Sequence, residues 1–271
     1  MVERSRRGKG KHKSKLDLLG NHQRCWLWGR VLVSETLHAG RWPILELFLA
    51  DDLPADQMRE ATDRARTLGV TVTIESRDAL TQRCRTEEHQ RYVAQMSSFP
   101  YAALEDVLAA RPARPLYVIL DAMQDPYNFG AVLRSAEVFG ADAVFIGRRR
   151  QAPVSSMVAR SSAGAINRVP IVQVPDLPKL VKSLQGLGVT VVGTSEHAEH
   201  PSWAGQFQRP TAILIGNEGA GIGAELLARC DDLVRIPQQG DIGSLNAAAA
   251  AAVLLYEVRR QQAGTDAASA S

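Results

Sequence analysis

Five polar side chains in three separate stretches could do chemistry: Asn128, Arg134, Glu218, Ser244 and Asn246. The first stretch, "DAMQDPYNFGAVLR" (Asp121–Arg134), leaves an apolar run through Pro126, which sets a helical first turn. Asn128 reads as the cap of that helix, and Gly130 as a place where backbone can approach a ligand. Arg134 falls in the second turn, three residues before Glu137, a spacing that also suits a plain surface ion pair. The second stretch, "LIGNEGAGIG" (Leu214–Gly223), runs into Gly216, Gly219, Gly221 and Gly223. Bare backbone N–H groups in such a loop can surround a polar ligand. Glu218 among them is a poor packing residue and a good hydrogen-bond acceptor. From Gly216 the spacing is GxxGxGxG, which excludes the GxGxxG dinucleotide fingerprint, and no GxxxxGK[ST] phosphate loop occurs. In the third stretch, "GDIGSLNAAAAAAVLLYEVRR" (Gly240–Arg260), Ser244 reads as an N-cap with Leu245, Asn246 and Ala247–Ala252 opening a helix.

These stretches need a frame that brings them to one place. "LYVILD" (Leu116–Asp121), "AVFIG" (Ala143–Gly147), "RVPIVQV" (Arg168–Val174), "VTVVGT" (Val189–Thr194), "TAILIG" (Thr211–Gly216) and "DLVRIP" (Asp232–Pro237) read as strands separated by helical patterns. Continuous apolar strands alternating with helices imply a buried, mainly parallel sheet of βαβ units. All three polar stretches then lie on one rim of it. Upstream, "DQMREATDRARTLG" (Asp56–Gly69) and "VTVTIES" (Val70–Ser76) read as helix and strand of a smaller α/β domain. The spacing divides the chain into a basic arm (1–20), this small domain (21–96), a linker (97–115), the large domain (116–262) and a flexible tail (263–271).

Composition fits a globular protein, with 45% hydrophobic and 23% charged residues, and no run approaches the roughly 18 apolar residues that span a bilayer. Cys25, Cys84 and Cys230 show no CxxC spacing, which speaks against disulfides or zinc and fits a reducing, cytoplasmic setting. His197 and His200 are three apart but lack a third ligand, so no metal is expected. His89 in a polar run reads as solvated or RNA-facing, and Trp26 and Trp28 as packing residues rather than base stackers. Nine Lys and Arg face two acids within residues 1–30, so against the overall +3 the remaining chain is about four units negative. "RSRRGKGKHKSK" (Arg4–Lys15) therefore reads as a disordered arm, either a solubility tail or a phosphate-seeking segment adding salt-dependent affinity for RNA or DNA.

Together, "DPYNFGAVLRSAEVFGADAV" (Asp125–Val144), "LIGNEGAGI" (Leu214–Ile222) and "IPQQGDIGSLNAAAAAAVLLYE" (Ile236–Glu257) resemble the three signature motifs of the SpoU-type (TrmH-like) ribose 2′-O-methyltransferases of the SPOUT superfamily. "EEHQRYVAQMSSFPYAALEDVL" (Glu87–Leu108) is similar to the RlmB-like branch, though "WGRVLVSETL" stands where that branch more often begins a glycine-isoleucine motif. The resemblance implies a C-terminal α/β SPOUT domain with a deep trefoil knot around a mainly parallel sheet. It also implies a small N-terminal α/β domain like RNA-binding ribosomal-protein modules, and an active site shared across a homodimer. S-adenosylmethionine is the implied cofactor, bound near Thr194, Gly216, Asn217, Gly219, Ile236 and Leu245. The implied reaction is methyl transfer to a guanosine 2′-hydroxyl of 23S rRNA. A tRNA ribose methyltransferase would share all three motifs, and resistance-type rRNA methyltransferases are related. A silent ribosome-assembly factor retaining the fold is the other alternative, against which intact Arg134, Glu218 and Ser244–Asn246 speak. Arg134 is the family's proposed base, although a guanidinium, a poor base with a fork of donors, is better suited to hold a phosphate. Asn128 and Glu218 are expected to fix Arg134, with Ser244 and Asn246 near the ribose. The six alanines would keep the last helix slim where the knot closes, so leucine at Ala249 or Ala250 is expected to damage folding or cofactor binding.

Overall fold

The structure, a computed structural model, describes residues 26–240 and 244–269. The basic arm, Cys25, residues 241–243 and the last two residues of the tail lie outside the described residues.

The N-terminal sheet holds β1 (Trp26–Trp28), β2 (Ile44–Ala50), β3 (Thr71–Glu75) and β4 (Tyr92–Met96) in the order β1-β4-β2-β3. Only the β2–β3 pair is parallel. Helix α1 (Arg30–Ala39) buries Leu32, Val33, Thr36 and Leu37, one face of a 3.6-residue period, and ends at Gly40 with φ +61°. Helices α2 (Ala55–Thr67) and α3 (Arg77–Cys84) complete the unit. Trp26 packs its ring 5.7 Å from Phe48. His89 is buried, not solvated: its Nδ1 accepts from Arg91 N–H at 3.1 Å, which leaves the proton on Nε2, 3.2 Å from Thr81 Oγ1. Burial lowers its pKa, so the ring stays neutral and structural.

The expected linker is packed. Trp42, Phe99 and Tyr101 stack edge-on with centroids 5.1 Å apart at each step. The Tyr101 hydroxyl accepts from Val154 N–H at 3.2 Å, and Ala102 N–H donates to Ile171 O at 2.8 Å. Helix α4 (Leu104–Ala109) follows.

Seven parallel strands form the C-terminal sheet: β5 (Leu116–Leu120), β6 (Ala143–Gly147), β7 (Ile171–Val174), β8 (Thr190–Thr194), β9 (His200–Pro201), β10 (Thr211–Ile215) and β11 (Asp232–Arg235). Their order is β7-β6-β5-β10-β8-β11-β9. Alternate residues divide between two faces, as a two-residue period requires. Leu116, Val118 and Leu120 join Phe129 and Leu133 of α5 (Pro126–Val138) and Leu254 and Val258 of α9 (Ala247–Ser269). Tyr117 and Ile119 join Leu180 and Leu184 of α7 (Leu177–Gly186). The remaining helices are α6 (Ser156–Ser161) and α8 (Ala224–Leu227). The first apolar cluster continues into the N-terminal sheet through Leu27, Val33 and Trp42. Across the same boundary, buried Asn167 donates to Thr36 Oγ1 at 3.1 Å and Arg160 to Glu88 at 2.9 Å. Arg160 also lies 5.5 Å from the ring centroid of Trp28.

Two expectations about helices need correction. Gly130 does not meet a ligand: a Cβ there would stand 2.6 Å from Val158 O, so this glycine lets α5 lie against α6. The alanine helix runs on through Ser269 instead of ending in a flexible tail at 263. Its tight positions are Ala248 and Ala251, both buried along α5, whereas Ala249 is exposed and Ala250 half-buried. Leucine at Ala249 therefore projects from an exposed position, because the small face is turned one position from where the sequence places it.

Candidate active site at the strand ends

The chain builds β5, β6 and β7 outward on one side, then sets the later strands on the other, so the order reverses between β5 and β10. A crevice opens at the carboxyl ends of strands at such a switch point. The loop after β5, the glycine loop after β10 and the start of α9 all arrive there.

Asp125 caps α5, its carboxylate accepting from Tyr127 N–H at 3.0 Å, and Pro126 takes the first turn. Asn128 thus lies inside the helix and is not its cap. Its amide is spent between loops: Nδ2 donates to Glu218 Oε1 at 3.0 Å and Oδ1 accepts from Asn246 Nδ2 at 2.9 Å. Asn246, not Ser244, caps α9, with Oδ1 accepting from Ala248 N–H at 2.9 Å and Ala249 N–H at 3.3 Å. Ser244 and Leu245 are exposed just before it. An ionised carboxylate can only accept, and that fixes the direction of the whole series. Asn128 must turn its NH₂ to Glu218, Asn246 must turn its NH₂ to Asn128, and the oxygen left over on Asn246 faces the helix N–H groups.

The glycine loop is held by its own asparagine. Asn217 Nδ2 donates to Ala122 O at 2.8 Å and to Glu218 Oε2 at 3.1 Å, while Oδ1 accepts from Gly219 N–H at 2.9 Å and Ala220 N–H at 3.2 Å. The side chain of Asn217 and the N–H of Gly219, expected at a cofactor, are therefore occupied within the loop. Two backbone bonds of 2.9 Å between Asn217 and Gly221 close it. Gly216 sits against that closure, where a Cβ would lie 2.5 Å from Gly221 O and nearer still to Gly221 C and Ile222 N. Ala122, the acceptor for Asn217, holds φ +56°, a conformation alanine adopts only under constraint. Asp121 Oδ2 accepts from Gly223 N–H at 2.8 Å and ties the two loops a second time. Sequence reading missed Asp121 and Ala122 as site-builders. A polar residue closing an apolar strand was the available signal.

Thr194 ends β8, and Gly216 and Ile236 follow β10 and β11; the three strands are neighbours in the order β10-β8-β11. At about 4.8 Å per strand these ends span about 10 Å. Thr194 Oγ1 donates to Leu214 O at 3.3 Å. Behind them Cys230 packs against Gly193, and burial pushes its thiol up to about 11, so it is a neutral packing group.

Arg134 stands apart from this cluster. It is exposed on α5 and makes no hydrogen bond or ion pair among the described residues. Neither expected partner is used: Glu137 faces Arg168 at 3.8 Å, and Asn128 and Glu218 bond each other. The His197 ring lies 3.4 Å from Glu196 and its backbone N–H donates to Ser195 Oγ at 3.2 Å, and His200 lies on edge strand β9. Among the described residues no three His, Cys, Asp or Glu are grouped to hold a metal, and no helix is long and apolar enough to cross a membrane.

Comparison with known proteins gives two family matches, the SpoU rRNA methylase family over residues 115–256 and the RNA 2′-O ribose methyltransferase substrate-binding family over residues 26–102. The 23S rRNA (guanosine-2′-O-)-methyltransferase RlmB of Coxiella burnetii is 34% identical, covering 87% of this chain and 95% of that protein. Among solved structures, the SpoU methyltransferase AviRb of Streptomyces viridochromogenes with AdoMet superposes with TM-score 0.75 at 29% identity, covering 88% of this chain and 90% of that one. An AdoMet-bound rRNA methyltransferase of Sinorhizobium meliloti gives TM-score 0.77 at 25% identity, covering 92% and 96%.

Proposed function

The chain belongs to the SpoU rRNA methylase family, and from that premise we propose that it methylates a guanosine 2′-hydroxyl of 23S rRNA with S-adenosylmethionine. It is an RNA 2′-O-ribose methyltransferase by family. The observation that carries the reading is the Asn246–Asn128–Glu218 series, which joins the three motif loops at the strand ends.

The residues present suit the cofactor. Backbone groups of Gly216, Ile236 and Leu245 offer an adenine and an amino-acid end their hydrogen bonds, with Thr194 beside them and the closed loop of Asn217 and Gly219 as a rigid wall. When bound, S-adenosylmethionine supplies a methyl group already activated by the positive charge on its sulfur. The chain's own task is to align the attacking oxygen and help take its proton. Arg134 holds the phosphate beside the target ribose through its fork of N–H donors, and Ser244 and Asn246 face the ribose. The N-terminal domain captures the RNA, the last segments thread the family's knot, and the enzyme works in the cytoplasm.

A homodimer is part of this reading. Tyr127, Ala131, Arg134 and Val138 form one stripe on α5; Tyr127 is 59% exposed and Val138 66%. Ala249, Val253 and Tyr256 form a second stripe on α9, and Tyr256 reaches Phe139 at 6.2 Å, so the two stripes adjoin. An apolar surface of this extent with an unpaired arginine in it is what a second subunit would cover. Val253→Asp with Tyr256→Asp should convert dimer to monomer mass by light scattering and cut methylation at least about tenfold, as expected when a charge enters an apolar interface. An unchanged mass would overturn the dimer.

The test of function is transfer of labelled methyl from S-adenosylmethionine to 23S rRNA and tRNA transcripts. Label should enter the 23S transcript and map to a 2′-O-methylguanosine. Label in tRNA alone would replace the substrate, and label in neither, with RNA still bound, would make the protein a silent binding factor.

A further inference from the structure

Beside the motif loops lies a second cleft, of about 590 Å³, at the carboxyl ends of β5, β6 and β7. Its wall includes Asp121 and Ala122, the same residues that bond Gly223 and Asn217, so it shares one partition with the candidate active site. Facing that partition are Arg148, Arg149 and Arg150, directly after β6 and all exposed.

The charged groups of the cleft are unequal in what they are free to do. Each acid is already engaged. Asp121 accepts from Gly223 N–H at 2.8 Å, Asp176 caps α7 through Lys179 N–H at 2.9 Å, and Glu225 pairs with Arg229 at 3.2 Å. None of the three arginines makes a hydrogen bond or ion pair among the described residues. Three guanidiniums in a row repel one another, and none of them is relieved by a direct pair among the described residues. The backbone leaves strand geometry at this point, with Arg150 at φ +52°. Guanidinium forks of this kind match phosphate oxygens in pairs.

We propose that Arg148, Arg149 and Arg150 form a phosphate-binding wall for the substrate RNA, gripping backbone phosphates of nucleotides next to the one being methylated. The inference rests on the methyltransferase reading for its ligand, and it adds a site outside the three motifs. Adjacent strands are about 4.8 Å apart, so the wall begins one strand from β5 and two from β10. RNA whose target ribose enters the crevice at the β5–β10 switch would pass over it. The contacts are to the backbone, so they add affinity and register without reading sequence.

The test combines Arg148→Gln, Arg149→Gln and Arg150→Asn, asparagine being, after glycine, the residue that best tolerates a positive φ. Its probe is a fluorescein-labelled 23S rRNA fragment, titrated by anisotropy across a range of KCl. Loss of three phosphate contacts should reduce the slope of log K against log salt by about 2 to 3 and weaken binding about tenfold or more at moderate salt. Affinity for S-adenosylmethionine and the melting temperature serve as controls, and the Arg→Lys triple variant should keep most of the slope. If the triple variant melts early, the single Arg149→Gln variant should still lower the slope by about 1. An unchanged slope in a folded variant overturns the wall, whether or not the wild type methylates. A wild type that transfers no methyl, yet loses slope on substitution, overturns the functional reading and leaves the wall standing.

Discussion

Replacing Arg134 by alanine should lower methyl transfer roughly 10²–10⁴-fold, the range spanned by losing a proton-transfer or positioning group. S-adenosylmethionine should bind as before, since Arg134 touches none of the strand ends proposed to hold it. The fold should survive, because the guanidinium is exposed and has no partner among the described residues to lose. The two roles separate in Arg134→Lys. Lysine keeps the charge but not the paired donors, so a phosphate anchor should be partly rescued, with KM for RNA raised more than kcat is lowered. A base should not be rescued in that pattern. Turnover of Arg134→Ala within tenfold of wild type would remove the residue from the mechanism altogether.

Gly216→Ala should have the second largest effect, on folding as well as function. The added methyl would stand 2.5 Å from Gly221 O and closer to two other backbone atoms, none of which can rotate away. Relief requires opening the paired 2.9 Å bonds between Asn217 and Gly221 that close the loop. Overpacking of this kind costs about 1–3 kcal/mol, and at about 2–4 °C per kcal/mol the melting temperature should fall by several degrees. Cofactor affinity should fall at least about a hundredfold by calorimetry, because the loop that forms its wall no longer closes. Gly219→Ala is the internal control for stability: its nearest neighbour would be Asn217 Oδ1 at 3.7 Å, an ordinary contact. Equal melting temperatures for the two variants would contradict the steric account.

The contrast between these two glycines shows what the sequence could and could not convey. The cluster of glycines after an apolar run marked a ligand loop, and the apolar strands marked a parallel sheet; both patterns are local. That Gly216 faces Gly221, while Gly130 faces Val158 on another helix, depends on contacts no local pattern records. Ser244 is a better statistical cap than most residues, yet Asn246 caps α9 because its amide also reaches Asn128. Arg134 was legible as functional only through its motif, and that Glu137 would turn to Arg168 and leave it without a partner among the described residues was not legible. "RRR" after β6 was visible throughout, but without the strand order nothing placed it beside the crevice.

The amide series also sets a schedule. Its two links join residues 90 and 118 positions apart, so both close long loops and both come late in any folding sequence. During synthesis from the N-terminus, Asn128 and Glu218 exist while Asn246 does not. Glu218 then holds only the amides of Asn128 and Asn217, and the last helix does not yet exist. A nascent chain carries the sheet, the glycine loop and the arginine wall before it carries a finished site. On the proposed site, competence arrives with the final helix, and a chain truncated before Asn246 is expected to transfer no methyl group.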